Sequence, residues 1–457
     1  MAQDRPNILF IMDDQHRWDY LGSMGADFIR TPHLDRLAER GIQFTSCTTN
    51  CPVCAPSRVA LASGLQPTRV GALDNSCFLP QGTTSYYQRL RDHGYYVGCS
   101  GKLDLAKPIP YNGRNGDRPS TYMWGFTHPI EIEGKMHAGG SKVPQGPYNY
   151  FLHEKGLLEP FVDDYTRRSQ EGYYRSCHDS VLPTEGFADT YIGQRAVEWI
   201  DTIPDDFPWH MFVSFVGPHD PFDPPTEYAD KYRGAEMPPP ISADLTGKPR
   251  YLEGRIKTND MTDEEVLETR RQYCAATELI DDQVGAILDA VERRGMSDNT
   301  YVIFASDHGE MLGDHGCYTK SVPYESALRV PLIVAGPGIE GGRKNDGPVE
   351  LIDVNPTICE LAGLSAQANI DAQSFNPVLQ GETDQHRTEA VSAIRNFRLI
   401  RTSRYKLIEN YNDLTELYDL EEDPEELNNI AGENRDLVRE LSRRLSQRYQ
   451  EGAWMRG

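Results

Sequence analysis

The segment Cys51-Pro-Val-Cys54-Ala-Pro-Ser-Arg58, running on to Leu61-Ala-Ser-Gly64, brings two thiols and a guanidinium into eight residues. Pro56 suits the first turn of a helix and Gly64 its end, so Cys54 falls at or just before a helix N-terminus. Unpaired N–H groups and the helix dipole there stabilise an anionic nucleophile or a bound oxyanion. The same C-x-x-C spelling suits a thioredoxin-like redox pair or half of a zinc site, and two buried structural thiols are the plainest reading. Asp13-Asp14-Gln15 ends the apolar run Asn7–Met12. Alone, such a pair is often only a solvated turn. Ser306-Asp307-His308-Gly309 follows the apolar run Tyr301–Ala305 directly, and an Asp-His pair at a strand end suits a divalent metal.

The elements that must position these groups follow a pattern of strand, polar loop and helix. Buried strands are predicted at Asn7–Met12, Tyr95–Ser100, His210–Gly217, Asn299–Ser306 and Val330–Gly336, with helices at Thr31–Gly41, Ser85–Gly94, Thr190–Ile203 and Thr262–Arg294. Uninterrupted apolar strands alternating with helices argue for a largely parallel sheet covered on both faces, with ligands at the carboxyl ends of its strands. Residues 107–185 are rich in Gly, Pro, Tyr and His without clear periodicity and are expected to form an irregular excursion over the active face. Beyond about Ala366 the text turns to alternating strands, tight turns and a closing amphipathic helix. The expected division is a catalytic α/β domain over 1–375 and a small α+β subdomain over 376–457.

The 457 residues hold 46 basic against 69 acidic side chains, a net −23 that disfavours nucleic acid and anionic membranes as partners. An anionic substrate therefore requires a locally basic pocket. The run Asn7–Met12 is too short for a signal sequence or for the roughly 18 apolar residues of a membrane span, so a cytoplasmic protein is expected. Nine cysteines without a framework spacing are expected to be mostly free thiols.

Cys54-x-Pro56-Ser57-Arg58 followed by Gly64 resembles the maturation motif of the sulfatase family, in the alkaline phosphatase superfamily, near its arylsulfatase and phosphonate monoester hydrolase branch. Only Cys54 is in register; Cys51 lacks the Pro and Arg at the required offsets. The likeness extends over Thr31–Gly41, Val330–Gly338, Leu351–Leu364 and Glu416–Ala431. It implies an alkaline-phosphatase-like α/β fold, with Cys54 oxidised to formylglycine by a maturation enzyme. It further implies one divalent ion held by Asp14, Asp307, His308 and a formylglycine oxygen. Gln15, where many members have a second Asp, is counted with that set, and Asp13 is left out. The imidazole and the missing Asp rank Mn²⁺ ahead of Ca²⁺.

The resemblance assigns catalytic parts to Arg58, Lys102, His219 and Lys320, and substrate contacts to Asn75, Asp104 and His315. Asp104 stands where the family's G-K-x-H segment has His. His33, His93, His128 and His137 are taken as structural or surface residues. The implied reaction is hydrolysis of a small anionic ester, a sulfate monoester, through a covalent sulfated hemiacetal. A phosphonate monoesterase or phosphodiesterase using the same machinery is the main alternative, since Gln15, His308 and Asn75 lean that way and Lys102 leans back. A thiol redox protein and a silent binding protein are the alternatives of other classes. A homodimer is the expected assembly.

Overall fold

The computed structural model describes residues 5–109 and 111–450. The first apolar run becomes strand β1, Asn7–Asp14, buried throughout. Its Ile8, Phe10 and Met12 enter one apolar core, and Leu9 and Ile11 another. Side chains alternate across a strand, so one continuous apolar run fills two cores only when both faces of the sheet are covered. Helices Cys54–Ser63, Tyr86–Asp92 and Val354–Leu361 close the first face through Val59, Leu90 and Ile358. Pro32–Glu39, Ala188–Thr202 and Asp263–Arg293 close the second through Leu34, Ile192 and Val284.

The main sheet adds β2 (Gly41–Phe44), β3 (Tyr96–Gly101), β4 (His128–Glu131), β5 (Trp209–Pro218), β6 (Thr300–Ser306), β7 (Leu332–Ala335) and β8 (Arg343–Asn345). The order is β8-β2-β7-β6-β1-β5-β3-β4. Only β7 runs against its neighbours; the other five pairings are parallel. The neighbours β6, β1, β5 and β3 therefore present their carboxyl ends together. Asp14 ends β1, Lys102 follows β3, His219 follows β5 and Asp307 follows β6. Four chemical segments far apart in sequence thus meet at one rim.

A four-stranded antiparallel sheet follows, β9 (Ala390–Ala393), β10 (Phe397–Arg401), β11 (Tyr405–Asn410) and β12 (Glu416–Asp419). Helix Arg435–Gln450 lays Leu441, Leu445 and Tyr449 on its Val391, Ile400, Leu407 and Leu417. This is the small α+β unit that the alternating text predicts.

The stretch 107–185 is irregular over much of its length but carries regular elements as well. It contributes the edge strand β4 and several helices, the longest being Leu158–Glu171. Leu158, Phe161, Val162 and Tyr165 are buried at helical spacing. That periodicity is present in the sequence but is diluted by the Gly- and Pro-rich text around it. Among the described residues, no helix is long and apolar enough to cross a membrane.

Candidate active site

Cys54 begins the helix Cys54–Ser63, every residue of which is buried, and Gly64 ends it with a left-handed φ of 71°. The Cys54 sulfur lies 3.1 Å from His308 Nε2 and 3.7 Å from Asp14 Oδ1. Ligand atoms of Asp14, Cys54, Asp307 and His308 all fall within 4.8 Å of one another, and all four residues are fully buried. His308 Nδ1 is 2.9 Å from the Gly309 carbonyl, which fixes that nitrogen as the donor and leaves Nε2 free to bind a metal. Gly309 is required here, because a Cβ would lie 2.0 Å from the Ser326 carbonyl oxygen.

The acidic pair at the end of β1 is split by the alternation of the strand. Asp14 faces the cluster, whereas Asp13 pairs with His16 at 2.5 Å. Gln15 has a left-handed φ of 75°, its N–H donates to Asp307 Oδ1 at 3.1 Å, and its carbonyl accepts from the Tyr273 hydroxyl at 2.7 Å. Its side chain is held by other residues of the rim. The amide donates to Asp220 and Glu310 and accepts from Lys320.

Buried cations balance this concentration of acceptors. Arg58 donates to Asp307 at 2.7 Å, to the Lys102 carbonyl at 2.8 Å and to Ser214 at 2.6 Å. Its Nη2 lies 3.5 Å from Asp14 and has no hydrogen-bond partner among the described residues. Lys102 pairs with Asp14 and, at 3.1 Å, with Asp104. Burial alone would raise the Cys54 thiol, but Lys102, Lys107, Lys320 and His308 outweigh it and hold the thiol well below its ordinary range. Burial likewise opposes ionisation of Asp14, as does the adjacent Cys54, and Lys102, His219 and Arg58 overcome both. Cys51 differs. It sits in an apolar cluster, and burial with no compensating cation pushes its thiol well up. All nine cysteines are free thiols. A low-pKa thiol among cations is reactive, and a buried apolar one is inert.

The cluster lies beside a cavity of about 290 Å³ lined by Asn75, Lys102, Asp104, His219 and Lys320 among others. Asn75 Oδ1 accepts the Ala55 N–H at 3.2 Å, tying the cavity wall to the first turn of the Cys54 helix. Asp104, at a left-handed φ of 53°, joins Lys102 to Lys107, which is 2.7 Å away. His219 Nε2 is 2.6 Å from the Lys320 ammonium. Burial works against that ammonium, but the negative groups Cys54, Asp14 and Asp220 raise it.

His315 lies elsewhere. Its ring packs on Tyr324 with centroids 4.4 Å apart, and burial together with nearby Lys248 pushes it down to about 3. This imidazole is stacked toward the C-terminal sheet and is not among the residues lining the cavity, where a substrate contact was expected of it. His137, taken as a structural or surface residue, lines the cavity together with Lys107, Lys135 and Asp220. Asp220 had a signal, adjacency to His219; the other three lie in the excursion, where no local pattern marks them.

The match to a family model described as Sulfatase covers residues 6–364, and one described as N-sulphoglucosamine sulphohydrolase, C-terminal, covers residues 313–451. A choline-sulfatase of Rhizobium meliloti is 30% identical over 456 residues, covering 94% of this chain and 83% of its own. An arylsulfatase of Clostridium perfringens is 28% identical, covering 93% of this chain and 90% of its own. The phosphonate monoester hydrolase of Agrobacterium radiobacter superposes with a TM-score of 0.83 at 24% identity, over 98% of this chain and 96% of its own, a likeness of fold. The shared rim of strand ends, the Cys54 helix and the sequence match agree: this chain belongs to the sulfatase family.

Proposed function

We propose that the protein hydrolyses sulfate monoesters, with Cys54 converted to formylglycine by a maturation enzyme and serving as the nucleophile. The observation that carries this reading is the convergence of Cys54, Asp14, Asp307 and His308 within 4.8 Å beside a lysine- and histidine-lined cavity. Hydrated formylglycine supplies two hydroxyls on one carbon, one to attack sulfur and one whose deprotonation expels sulfate from the sulfated hemiacetal.

The donor set fits a divalent cation: two buried carboxylates, an imidazole with Nε2 free and the nucleophile position. Mn²⁺ ranks ahead of Ca²⁺ for such mixed oxygen and nitrogen ligands, and the ion supplies Lewis acidity and positive charge. The chain's own residues do the rest. Arg58 locks Asp307 and Asp14 in place through the contacts described. Lys102 and Lys320 hold the charge of the ester oxygens, and Lys102 is itself oriented by Asp14 and Asp104. Lys320 and His219, in contact at 2.6 Å, hold the proton that the leaving alcohol takes. Asn75 fixes the cavity wall against the nucleophile's helix.

A phosphonate monoester or phosphodiester hydrolase is the second reading, favoured by Gln15, His308 and the cavity-lining Asn75. Lys102, held beside Asp14, favours sulfate. The test has two parts. Peptide mass spectrometry across Cys54, after coexpression with an active maturation enzyme, is expected to show the aldehyde; thiol alone would remove the mechanism. Hydrolysis of an aryl sulfate is expected to exceed that of an aryl phosphonate monoester, and the reverse order would replace the sulfate reading with the second.

A further inference from the structure

Glu310 has entered so far only as an acceptor for the Gln15 amide, yet it is fully buried and both of its oxygens are engaged. Oε1 accepts the N–H of Leu312 at 3.1 Å and of Thr319 at 2.5 Å, and Oε2 accepts from the Gln15 amide. The same Gln15 nitrogen donates to Asp220 Oδ1 at 3.2 Å, and Gln15 Oε1 accepts from Lys320. Lys320 touches His219 Nε2, and His219 Nδ1 lies 2.6 Å from the Asp220 carbonyl and 3.1 Å from its carboxylate. The contacts close a loop. It joins the end of β1, the end of β5, the segment after β6 and the loop carrying Thr319 and Lys320.

Position 15 needs an amide for this loop to close. An amide offers two N–H donors, one for each carboxylate, and a carbonyl for the ammonium. A carboxylate there would face Asp220 and Glu310 and could contact either only by taking up a proton, and it would offer a single donor in place of two. The backbone of Gln15 is already pinned by Asp307 and Tyr273, so only its side chain is left to be aimed. Glu310 aims it, and through Thr319 also anchors the loop that carries Lys320.

We infer that Glu310 is a positioning residue, acting through Gln15 and Thr319, that sets Lys320 against His219 and so places the proton donor for the leaving alcohol. The inference rests on the ester-hydrolase reading. It predicts dependence on leaving-group basicity, since a weakly basic nitrophenolate leaves without a proton and an alkoxide does not.

The experiment compares matured wild type, Glu310→Gln and Gln15→Glu on 4-nitrophenyl sulfate and on an alkyl sulfate, with the phosphonate monoester pair if those are the esters turned over. Glu310→Gln keeps the shape but turns an N–H₂ toward the N–H₂ of Gln15. Expected are a fall of about 10²-fold in kcat for the alkyl ester, less than about threefold for the nitrophenyl ester, and little change in KM. Gln15→Glu is expected to behave alike. The double exchange Gln15→Glu/Glu310→Gln, which restores one donor–acceptor pair, is expected to recover part of the alkyl rate. The ¹⁵N resonance of His219 Nε2 is expected to move in each single variant. Equal losses on both esters, or an unmoved His219 resonance, would overturn the inference while leaving the functional reading intact. No turnover of either ester class by matured wild type would overturn that reading and the inference with it.

Discussion

Two regions of this molecule bury charge at high density, and they do so to different ends. Where the C-terminal sheet meets the α/β body, Glu325 takes Arg401 at 2.9 Å and Lys406 at 3.2 Å, and Lys406 also pairs with Glu426. Lys248 closes that network, donating to the Tyr418 hydroxyl at 2.9 Å and lying 4.3 Å above the Tyr324 ring. Cations and anions alternate there, so each desolvated charge is compensated by a neighbour. At the strand ends Arg58 and Lys102 also pair with Asp307 and Asp14, but there two carboxylates, a thiol and an imidazole point at one another across a few ångströms, beside a cavity. The junction is finished by its own residues. The site converges on a point that a ligand would complete, and that separates a binding centre from a structural ion network.

The sharpest way to break this contrast is at Cys54. Cys54→Ala is expected to lower sulfatase turnover by about 10³-fold or more, about 4 kcal/mol of barrier, with little change in melting temperature. A drop in stability matching the loss of rate would make Cys54 a structural thiol like Cys51. The junction should respond in the opposite sense. Glu325→Ala leaves Arg401 and Lys406 short of a buried partner and is expected to cost about 3–5 kcal/mol of stability, read by denaturant melts, while the folded fraction keeps its kcat.

The junction also has a pH signature of definite sign. Burial opposes ionisation of Glu325, but Arg401 and Lys406 outweigh it and hold the carboxyl below its ordinary range. A depressed folded value means that the stabilisation is complete above the unfolded value of about 4.3 and is lost as pH falls from there toward the folded value. The difference in melting temperature between wild type and Glu325→Gln is therefore expected to be largest near neutrality and to shrink in acid. A difference that grows in acid would reverse the assignment.

Smaller effects sharpen the site itself. Chelator treatment is expected to lower both activity and melting temperature, and Mn²⁺ at a hundred times its Kd to return about 2.7 kcal/mol. A protein indifferent to both would put the convergent donors in the same class as the junction. Asn75→Ala removes the acceptor for the Ala55 N–H and is expected to cost about 1 kcal/mol in stability, as loss of a helix cap does. An unchanged melting curve would show that Asn75 serves the cavity alone.

Much of this was legible in the chain because it rests on local patterns. The apolar runs at Asn7–Met12 and Tyr301–Ala305 could only be doubly covered strands, and Pro56 with Gly64 bounds the helix that Cys54 begins. The choice of Asp14 over Asp13 came from family register, and β1 gives its physical reason, since alternation sends Asp13 to His16. The helix Leu158–Glu171 was legible in principle but was masked by irregular neighbours.

The sequence by itself determined which groups stand at strand ends, because a period of two and a run of apolar residues are properties of neighbours along the chain. Only the tertiary structure decided which of those groups share a point. The order β6-β1-β5-β3 makes neighbours of residues up to about three hundred positions apart. It gathers Asp14, Cys54, Asp307 and His308, turns Gln15 toward Glu310 and Asp220, brings His137 to the cavity and leaves His315 against Tyr324. Those outcomes depend on strand order and on the burial it enforces, and no local period encodes them.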